Sequence, residues 1–403
     1  MAGGWSARAR MSGPLVVFVE GFEAELGRQG YAPGSVTHHL RLMARLDVWL
    51  AARGLDAVGL TAEVVDEFMA ARRAVGAHGH TACVLVPLLV YLRGLGAVPP
   101  SAPRVAAGAV EGLLERYRSY LAVERGLAVS TVKGYATTVR PFLESRQAGD
   151  GVDLACVTAA DVTGFVVDSR QVRRGREVVT AMRSLLRFLA VHGLVDSGLV
   201  AAVPSIAHWR QSGLPQMLSP DQTRLLLDSC DRDSGRGRRD YAILLLLARL
   251  GLRSGEVAAL MLDDIDWRAG EVTVSNIKRG RRERLPLPVD VGQALTEYLG
   301  DGRRPDALTR HVFLRTLAPP HGLSSGGVAE VVRTAGARAG IGEIGAHRLR
   351  HTAASDMLAA GAGLAEIGEV LRHRLTQTTA IYAKIDHRAL GELARPWPTG
   401  GLS

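Results

Sequence analysis

Residues 346–383 concentrate side chains that could act on a phosphate group. His347, Arg350 and His351 lie close together, and Tyr382 lies near the end of the stretch. Arginine places a planar fork of N–H donors on phosphate oxygens and stays charged. Histidine can bind phosphate or move a proton near neutral pH. A tyrosine hydroxyl can be a covalent nucleophile when cationic neighbours help it to lose its proton. The combination therefore indicates phosphoryl transfer.

Two helices are needed to position these side chains. Apolar residues recur every three or four positions, which predicts amphipathic helices on either side of a break at Gly361 and Gly363. His347 and Arg350 are three residues apart, so they share one helix face. The alternative is a basic helix pair with a core tyrosine and two hydrogen-bonded histidines. Spacing alone does not decide between the two interpretations.

The same stretch resembles two motifs of the tyrosine recombinases, the phage integrase family. His347-Arg-Leu-Arg-His-Thr352 is similar to the family's H-x-L-R-H-T. The segment L-R-H-R-L-T-Q-T-T-A-I-Y, which ends at Tyr382, is similar to L-G-H-x-x-x-x-T-T-x-x-Y. One departure is Arg372, which stands where the family usually has glycine. A glycine at a helix end often supplies a left-handed turn, which an arginine adopts less readily.

A third motif lies about a hundred residues earlier in the chain. Gly251-Leu-Arg-Ser-Gly-Glu256 resembles the family's G-L-R-x-x-E. By itself, the pair Arg253 and Glu256 would be an ordinary surface ion pair of little energetic value. The resemblance instead implies two arginines on the scissile phosphate, two histidines that bind it and move protons, a tyrosine nucleophile and a lysine acid, with Glu256 in support. The six implied catalytic residues are Arg253, Lys278, His347, Arg350, His373 and Tyr382.

The lysine acid that the resemblance implies should lie on a predicted β-hairpin. Residues 271–277 alternate in polarity, which predicts a strand; a basic turn follows, and a return strand begins near Leu285. The family carries on this hairpin a lysine that protonates the leaving 5′-oxygen. Register leaves Lys278 and Arg279 as alternatives for that position. Because the pKa of arginine lies above about 12, it is a poor proton donor, which favours Lys278.

The order of helical and strand patterns along the sequence predicts a mainly helical chain with an α+β catalytic domain. Two SAM-like helical bundles of the core-binding type precede a mostly helical catalytic domain with a small antiparallel sheet. The predicted segments are a disordered tail (1–13), an N-terminal helical domain (14–98), a linker (99–109), a core-binding domain (110–203), a linker (204–217) and the catalytic domain with its C-terminal tail (218–403). Residues 232–240, within the catalytic domain, are predicted to form a flexible basic loop.

The first bundle is predicted to be a copy of the second. Gly30-Tyr-Ala-Pro-Gly-Ser-Val matches Gly126-Leu-Ala-Val-Ser-Thr-Val, and two further matches keep an offset of 96 or 97 residues. A fixed offset indicates duplication of a four-helix unit. Two unrelated bundles remain the alternative. The extra copy would hold more DNA or bind a protein.

A formal net charge of +9 indicates a polyanionic partner, although arginine-rich composition alone does not prove DNA binding. Basic and polar residues of the second bundle and the hairpin suit phosphate contact, which positions a protein on DNA. Any one of them could equally be a solvated surface residue. The predicted contacts are Arg125, Thr131, Lys133, Tyr135, Arg140, Arg173, Arg174, Arg176, Arg279, Arg281 and Arg282.

We expect no metal or other cofactor, because no H-E-x-x-H or compact Asp/Glu/His cluster is present in the sequence. Three distant cysteines fit a reducing bacterial cytoplasm, with the protein on the nucleoid. The resemblance implies double-stranded DNA with specific recombination sites as the partner, and self-association as a tetramer on synapsed DNA. Partner recombinases are a further option. An integrase of a mobile element is favoured. The alternatives are a type IB topoisomerase, a catalytically silent DNA-binding regulator and a metal-dependent nuclease.

Overall fold

The structure is a computed structural model that describes residues 11–74, 82–100, 108–168, 175–204, 217–275, 282–305, 307, 309–372, 379 and 382. The chain forms two compact units, Ala102–Arg210 and Met1–Ser101 with Gln211–Ser403. Helices dominate and the sheets are small and antiparallel, so the predicted fold class is confirmed. Within the described ranges, no helix has both the length and the apolar content to cross a membrane.

In its described residues, the first bundle contains four α-helices that enclose an apolar core. They are α1 (Val19–Arg28), α2 (Pro33–Ala51), α3 (Ala62–Ala74) and α4 (Val86–Gly94). Asp47 of α2 is fully buried, and its carboxylate accepts the backbone N–H groups of Gly13 and Leu15 at 2.9 and 2.7 Å. Met11 is also buried. The folded chain therefore begins by Met11, earlier than the predicted end of the tail at residue 13.

The second bundle has the same succession of helices. They are α5 (Ala109–Ser119, extended by a π turn to Glu124), α6 (Val129–Glu144), α7 (Ala159–Asp168) and α8 (Gly175–Val191). A two-residue hairpin, β1 (Gln147–Ala148) with β2 (Gly151–Val152), joins α6 to α7. Tyr117, Phe142 and Phe188 are fully buried in its core.

The third part, from residue 217 onward, carries the predicted catalytic motifs. Its helices are α9 (Pro220–Asp228), α10 (Gly235–Arg249), α11 (Ser254–Ala258), α12 (Val289–Glu297), α13 (Ser325–Arg338), α14 (Ala346–Ala359) and α15 (Leu364–Val370). Helix α10 is apolar on nearly every face from Ala242 to Ala248 and forms the centre of the core. Helices α11 and α14, which contain residues of the predicted motifs, both pack against this buried helix.

The prediction of a loop at residues 232–240 is wrong from Gly235 onward. Ser234 caps α10 by accepting the N–H of Gly237, so the helix begins at Gly235. Arg239 and Asp240 are buried and pair with each other at 2.6 Å, and Arg239 also donates to the carbonyl of Leu314. Glycine and charge suggested a loop, but a serine cap and a buried ion pair make the segment helical.

The predicted hairpin is present. Strands β3 (Ile265–Asp266), β4 (Glu271–Ser275) and β5 (Arg282–Pro286) form an antiparallel sheet in the order β3-β4-β5. Ser275 pairs with Arg282 at the end of this ladder. Residues 276–281 between them, with Lys278, Arg279 and Arg281, lie outside the described residues.

Candidate active site

Helix α14 presents the chemically active side chains from its first two turns. His347 and His351 lie one turn apart, and their ring centroids are 4.5 Å apart. Arg350 and Leu349 on the same turns are buried. Gly361 has φ of 93° and ends the helix before α15 begins. The two helices and the glycine break were predicted correctly from the apolar spacing.

Arg350 is the most deeply buried cation of the site, with a relative exposure of 1%. Its guanidinium donates to two backbone carbonyls, those of Gly251 and Leu371. Burial, reinforced by the positive charge of Arg253, lowers the pKa of Arg350 to about 10. The side chain therefore remains charged at neutral pH and is fixed by residues that are distant in the sequence.

Gly251, at the start of the first arginine motif, has a backbone that only glycine adopts easily. Its φ is 57°, and a Cβ atom there would lie 2.5 Å from Cδ2 of the buried Leu371. The same residue offers its carbonyl to Arg350. This position thus sets the distance between the first motif, α14 and the end of α15.

We expect Gly251→Ala to destabilise the protein by about 1–3 kcal/mol, because left-handed strain and overpacking against Leu371 combine. The matched control is Gly340→Ala, where φ is 68° but no atom lies within 4 Å of the added Cβ. Thermal unfolding of both variants measures the difference. Equal losses for the two variants would show that the close approach at Gly251 contributes nothing.

Arg253 and Glu256 are joined across the first turn of α11. The Glu256 carboxylate accepts the backbone N–H of Arg253 at 2.8 Å and its guanidinium at 2.8 Å. The Arg253 side chain remains 43% exposed, whereas that of Glu256 is 5% exposed. Arg253 also donates to the carbonyl of Arg372 at 3.3 Å. The carboxylate therefore orients a guanidinium whose surface is partly open to a ligand.

Arg372 adopts the left-handed conformation that a glycine would supply, with φ of 55°. Its side chain turns inward and donates to Glu256 at 2.9 Å, and both side chains are almost fully buried. Burial raises the pKa of Glu256, but Arg372 and the hydrogen bonds from Arg253 outweigh it, so the net pKa lies below the ordinary value. Arg372, which stands where the family usually has glycine, thus keeps the expected turn and gives Glu256 a second partner.

Tyr382 is buried, with a relative exposure of 1%, in a small apolar cluster with Ala354, Ile367 and Leu371. Its hydroxyl lies 2.8 Å from Nδ1 of His351. Burial raises the pKa of Tyr382 to about 12, and the positive charge of Arg350 acts in the opposite direction. The phenol is therefore protonated at neutral pH and must transfer its proton before or during any attack.

His347 lies within electrostatic reach of both motif arginines. Burial lowers its pKa, and the charges of Arg350 and Arg253 lower it further. A neutral imidazole in this position can donate one hydrogen bond to an anionic ligand and accept another.

The predicted residues fall into four groups by location. The structure brings together Arg253, Glu256, His347, Arg350 and Tyr382. His373, Lys278, Arg279, Arg281, Arg173 and Arg174 lie outside the described residues, and the side chain of Arg176 does too. Arg282 on β5 pairs with Asp264.

The remaining predicted DNA contacts lie on the second bundle. Arg125 and Lys133 are exposed, and Thr131 and Tyr135 are half-buried. Arg140 donates to Glu111 at 2.6 Å and is 36% exposed. Contact with a phosphate would therefore require Arg140 to share or exchange its present partner.

Two residues of this site were given no part in it from the sequence. His351 was recognised as part of the basic cluster but received no role, although its spacing of four from His347 places both rings on one face. Arg372 was recognised only as a departure in the turn. Its bond to Glu256 spans 116 residues, and no local pattern signals such a contact.

The arrangement favours a bound anion. The guanidinium groups of Arg253 and Arg372 pair with the Glu256 carboxylate, and that of Arg350 lies within electrostatic reach of it. Arg253 and Arg350 donate to the neighbouring carbonyls of Arg372 and Leu371, which brings the two guanidiniums close together. The excess positive charge suits a phosphodiester. In the parts of the chain that the structure describes, no three His, Cys, Asp or Glu side chains are grouped to hold a metal ion.

Two family matches cover most of this chain. Residues 216–388 match the phage integrase family, and residues 114–193 match the phage integrase N-terminal SAM-like domain. The chain is 41% identical to the putative integrase/recombinase y4rA of Sinorhizobium fredii, over 96% of this chain and 95% of the relative. It is 31% identical to the tyrosine recombinase XerD of Listeria monocytogenes, over 68% of this chain and 94% of the relative.

Solved structures show the same fold at low sequence identity. The XerH site-specific recombinase bound to a palindromic difH substrate, in a post-cleavage complex, matches with a TM-score of 0.56 and 16% identity, over 72% of this chain and 97% of that one. A lambda integrase tetramer bound to a Holliday junction matches with a TM-score of 0.51 and 17% identity, over 84% and 90%.

Proposed function

This chain belongs to the phage integrase family of tyrosine recombinases, and we propose that Tyr382 is the nucleophile with which it cuts and rejoins DNA. Its enzyme class is that of the tyrosine-type site-specific DNA recombinases. One observation carries the proposal for the site: Arg253 and Arg350 converge on neighbouring carbonyls, and one of these belongs to Leu371, which packs against Tyr382.

In the proposed reaction, Arg253 and Arg350 bind the non-bridging oxygens of the scissile phosphate and stabilise the charge of its pentacoordinate state. His347 hydrogen-bonds the same phosphate. Glu256 holds Arg253 in position through two hydrogen bonds. Preorganised donors of this kind lower the barrier because they need no rearrangement when the charge develops.

The covalent step exchanges one phosphodiester for another. The Tyr382 oxygen forms a bond to phosphorus, the bond from phosphorus to the 5′-oxygen breaks, and a 3′-phosphotyrosyl link remains. The leaving oxygen takes up a proton, which we assign to Lys278, with His373 as a further phosphate ligand. A 5′-hydroxyl of another strand can then reverse the step without ATP, because the link conserves the bond energy.

Residues 110–203 are proposed to be the core-binding domain, and residues 14–98 an additional bundle that precedes it. The family matches begin at residue 114, whereas the match to y4rA covers 96% of the chain. The basic residues of the second bundle are proposed to contact the DNA backbone. The additional bundle is proposed to make further contacts with DNA or to bind a protein.

The proposed substrate is double-stranded DNA with specific recombination sites, and the proposed assembly is four copies on two synapsed sites. The lambda integrase tetramer on a Holliday junction supports this stoichiometry. The likeness to a putative integrase/recombinase supports a role in moving a DNA element. The bacterial cytoplasm, at the nucleoid, is the proposed place of action.

The proposal is tested with a library of nicked duplexes whose randomised arms flank the nick. A nick close to the cleavage point lets the short product diffuse away, so the covalent protein–DNA adduct accumulates. We expect an adduct that is stable in denaturant and insensitive to a chelator. Sequencing the trapped DNA then gives the site, and exchange between two such sites separates a recombinase from a topoisomerase. A wild-type protein that forms no adduct, or needs a metal, would contradict the proposal.

Arg372→Gly tests the added cation directly. The change relieves the left-handed strain, about 1 kcal/mol, but it removes a buried partner of Glu256. We expect adduct formation about tenfold slower, because Glu256 would be held less firmly and Arg253 with it. Single-turnover adduct formation measures the effect. An unchanged rate would show that the glycine of the family serves equally well here.

A double-mutant cycle between Arg372→Gly and Glu256→Gln measures the coupling of the pair. We expect a coupling free energy of at least about 1 kcal/mol in unfolding experiments at neutral pH. Because the pKa of Glu256 is lowered in the folded protein, the coupling should disappear as the pH falls through that lowered pKa. Additive effects at neutral pH would contradict the contact.

A further inference from the structure

The imidazole of His351 lies beside the proposed nucleophile, and no role has been assigned to it so far. We propose that His351, rather than His347, accepts the phenolic proton of Tyr382 as the bond to phosphorus forms. The inference rests on the proposed function, because it concerns the first chemical step at the same site. It adds a catalytic residue to the reaction, since His351 touches the attacking oxygen.

The geometry is that of a proton donor and its acceptor. Nδ1 of His351 lies 2.8 Å from the Tyr382 hydroxyl, and the two ring centroids are 5.6 Å apart. This separation is within the range required of a general base. His351 is held by the backbone of α14, and Tyr382 is held by Ala354, Ile367 and Leu371. The two reacting atoms therefore meet without a conformational search.

The direction of the hydrogen bond follows from the acidity of the two groups. A phenol is a stronger donor than the N–H of a neutral imidazole, so the stable arrangement has the Tyr382 O–H donating to Nδ1. Burial lowers the pKa of His351 to about 4, and the neighbours His347 and Arg350 contribute. The ring is therefore neutral at physiological pH, and its Nδ1 lone pair is available as an acceptor.

In the free protein, proton transfer is strongly unfavourable, because Tyr382 is a very weak acid and His351 a very weak base. A bound phosphodiester changes both groups. Its negative charge offsets that of Arg350, which raises the basicity of the imidazole. As the oxygen–phosphorus bond forms, the phenolic oxygen loses electron density and its proton becomes acidic. Transfer is therefore coupled to attack on DNA.

The step balances without an additional reagent. The O–H bond of Tyr382 breaks and its proton goes to Nδ1 of His351, while the electron pair of the oxygen forms the bond to phosphorus. The bond to the 5′-oxygen breaks, and that oxygen takes its proton from the separate acid of the proposed mechanism. When a 5′-hydroxyl later attacks, its proton returns to that acid as its oxygen bonds to phosphorus, and Tyr382 leaves as the phenol with the proton returned from His351.

The test compares His351→Asn with the wild-type protein in single-turnover adduct formation on the nicked duplex recovered from the library. The asparagine amide oxygen can occupy the place of Nδ1 and accept the hydrogen bond, but it cannot take up a proton. We expect the rate to fall by about 100-fold or more. His321→Asn, at an exposed histidine of the same part of the chain, is the matched control and should leave the rate unchanged.

A second measurement separates proton transfer from positioning. Tyr382 is replaced by a ring-fluorinated tyrosine, whose phenol is more acidic and depends less on a base. In the His351→Asn background, the fluorinated residue should restore the rate at least tenfold, while in the wild type it should change the rate little. Thermal unfolding of each variant confirms that the proteins are folded.

Two results would overturn the inference. One is a His351→Asn rate within about threefold of the wild type, because a general base contributes far more. The other is a large loss that the fluorinated tyrosine does not restore, which would make His351 a positioning residue only. Failure of the proposed function is distinguishable, because the wild-type protein itself would then form no adduct.

Discussion

Replacing Tyr382 by phenylalanine is expected to abolish covalent adduct formation while leaving the affinity for the nicked duplex within a few-fold of the wild type. The substitution removes only the hydroxyl, and the ring remains packed against Ala354, Ile367 and Leu371. The lost hydrogen bond to His351 costs about 1 kcal/mol of stability, which the fold can tolerate. The measurement is denaturing electrophoresis of the labelled duplex after incubation with the protein.

Tyr298→Phe is the matched control for this experiment. Tyr298 is also buried, and its hydroxyl accepts the backbone N–H of Leu314 at 3.2 Å. The control therefore removes a buried hydroxyl and a hydrogen bond away from the proposed site. It should form the adduct at the wild-type rate. An adduct with Tyr382→Phe at a comparable rate would show that another residue attacks the DNA.

Replacing Arg350 by alanine is expected to slow adduct formation by about 10³-fold, because the site loses a fixed donor to the pentacoordinate phosphate. The carbonyls of Gly251 and Leu371 also lose their partner, so the end of α15 loosens beside Tyr382. Binding should weaken far less than the rate, since Arg350 supplies one phosphate contact among many. Single-turnover kinetics and a binding titration measure the two effects separately.

Two further variants show what Arg350 contributes. Arg350→Lys keeps a positive charge but loses the planar fork that reaches two carbonyls, so it should recover only part of the rate. Arg333→Ala removes an exposed arginine that pairs with Glu330 on α13 and should change nothing. A rate for Arg350→Ala within tenfold of the wild type would contradict the role of Arg350 as a phosphate ligand.

Much of this site could be predicted because its helices, strands and motifs are defined by residues that are close together in the sequence. Apolar spacing predicted α14, α15 and the break at Gly361, since a helix face repeats every three or four residues. Alternation predicted the hairpin of β4 and β5 in the same way. The resemblance to three family motifs predicted that Arg253, Arg350 and Tyr382 would serve one site.

The features of the site that were not predicted depend on contacts that no local sequence pattern indicates. The bond between Arg372 and Glu256 exists because a left-handed residue turns its side chain inward to a carboxylate 116 residues earlier. The pairing of His351 with Tyr382 depends on how Tyr382 packs against residues of α14 and α15. The helical start of α10 was misjudged because composition does not reveal that Ser234 caps it or that Asp240 is buried.

The most direct test of the nucleophile is to identify the atom that carries the DNA. The trapped wild-type adduct is digested with protease and nuclease, and the peptide that retains a nucleotide is sequenced by mass spectrometry. The nucleotide is expected on the hydroxyl of Tyr382, linked through a 3′-phosphate. A nucleotide on any other side chain, or a cleaved strand with no attached peptide, would contradict the assignment of Tyr382.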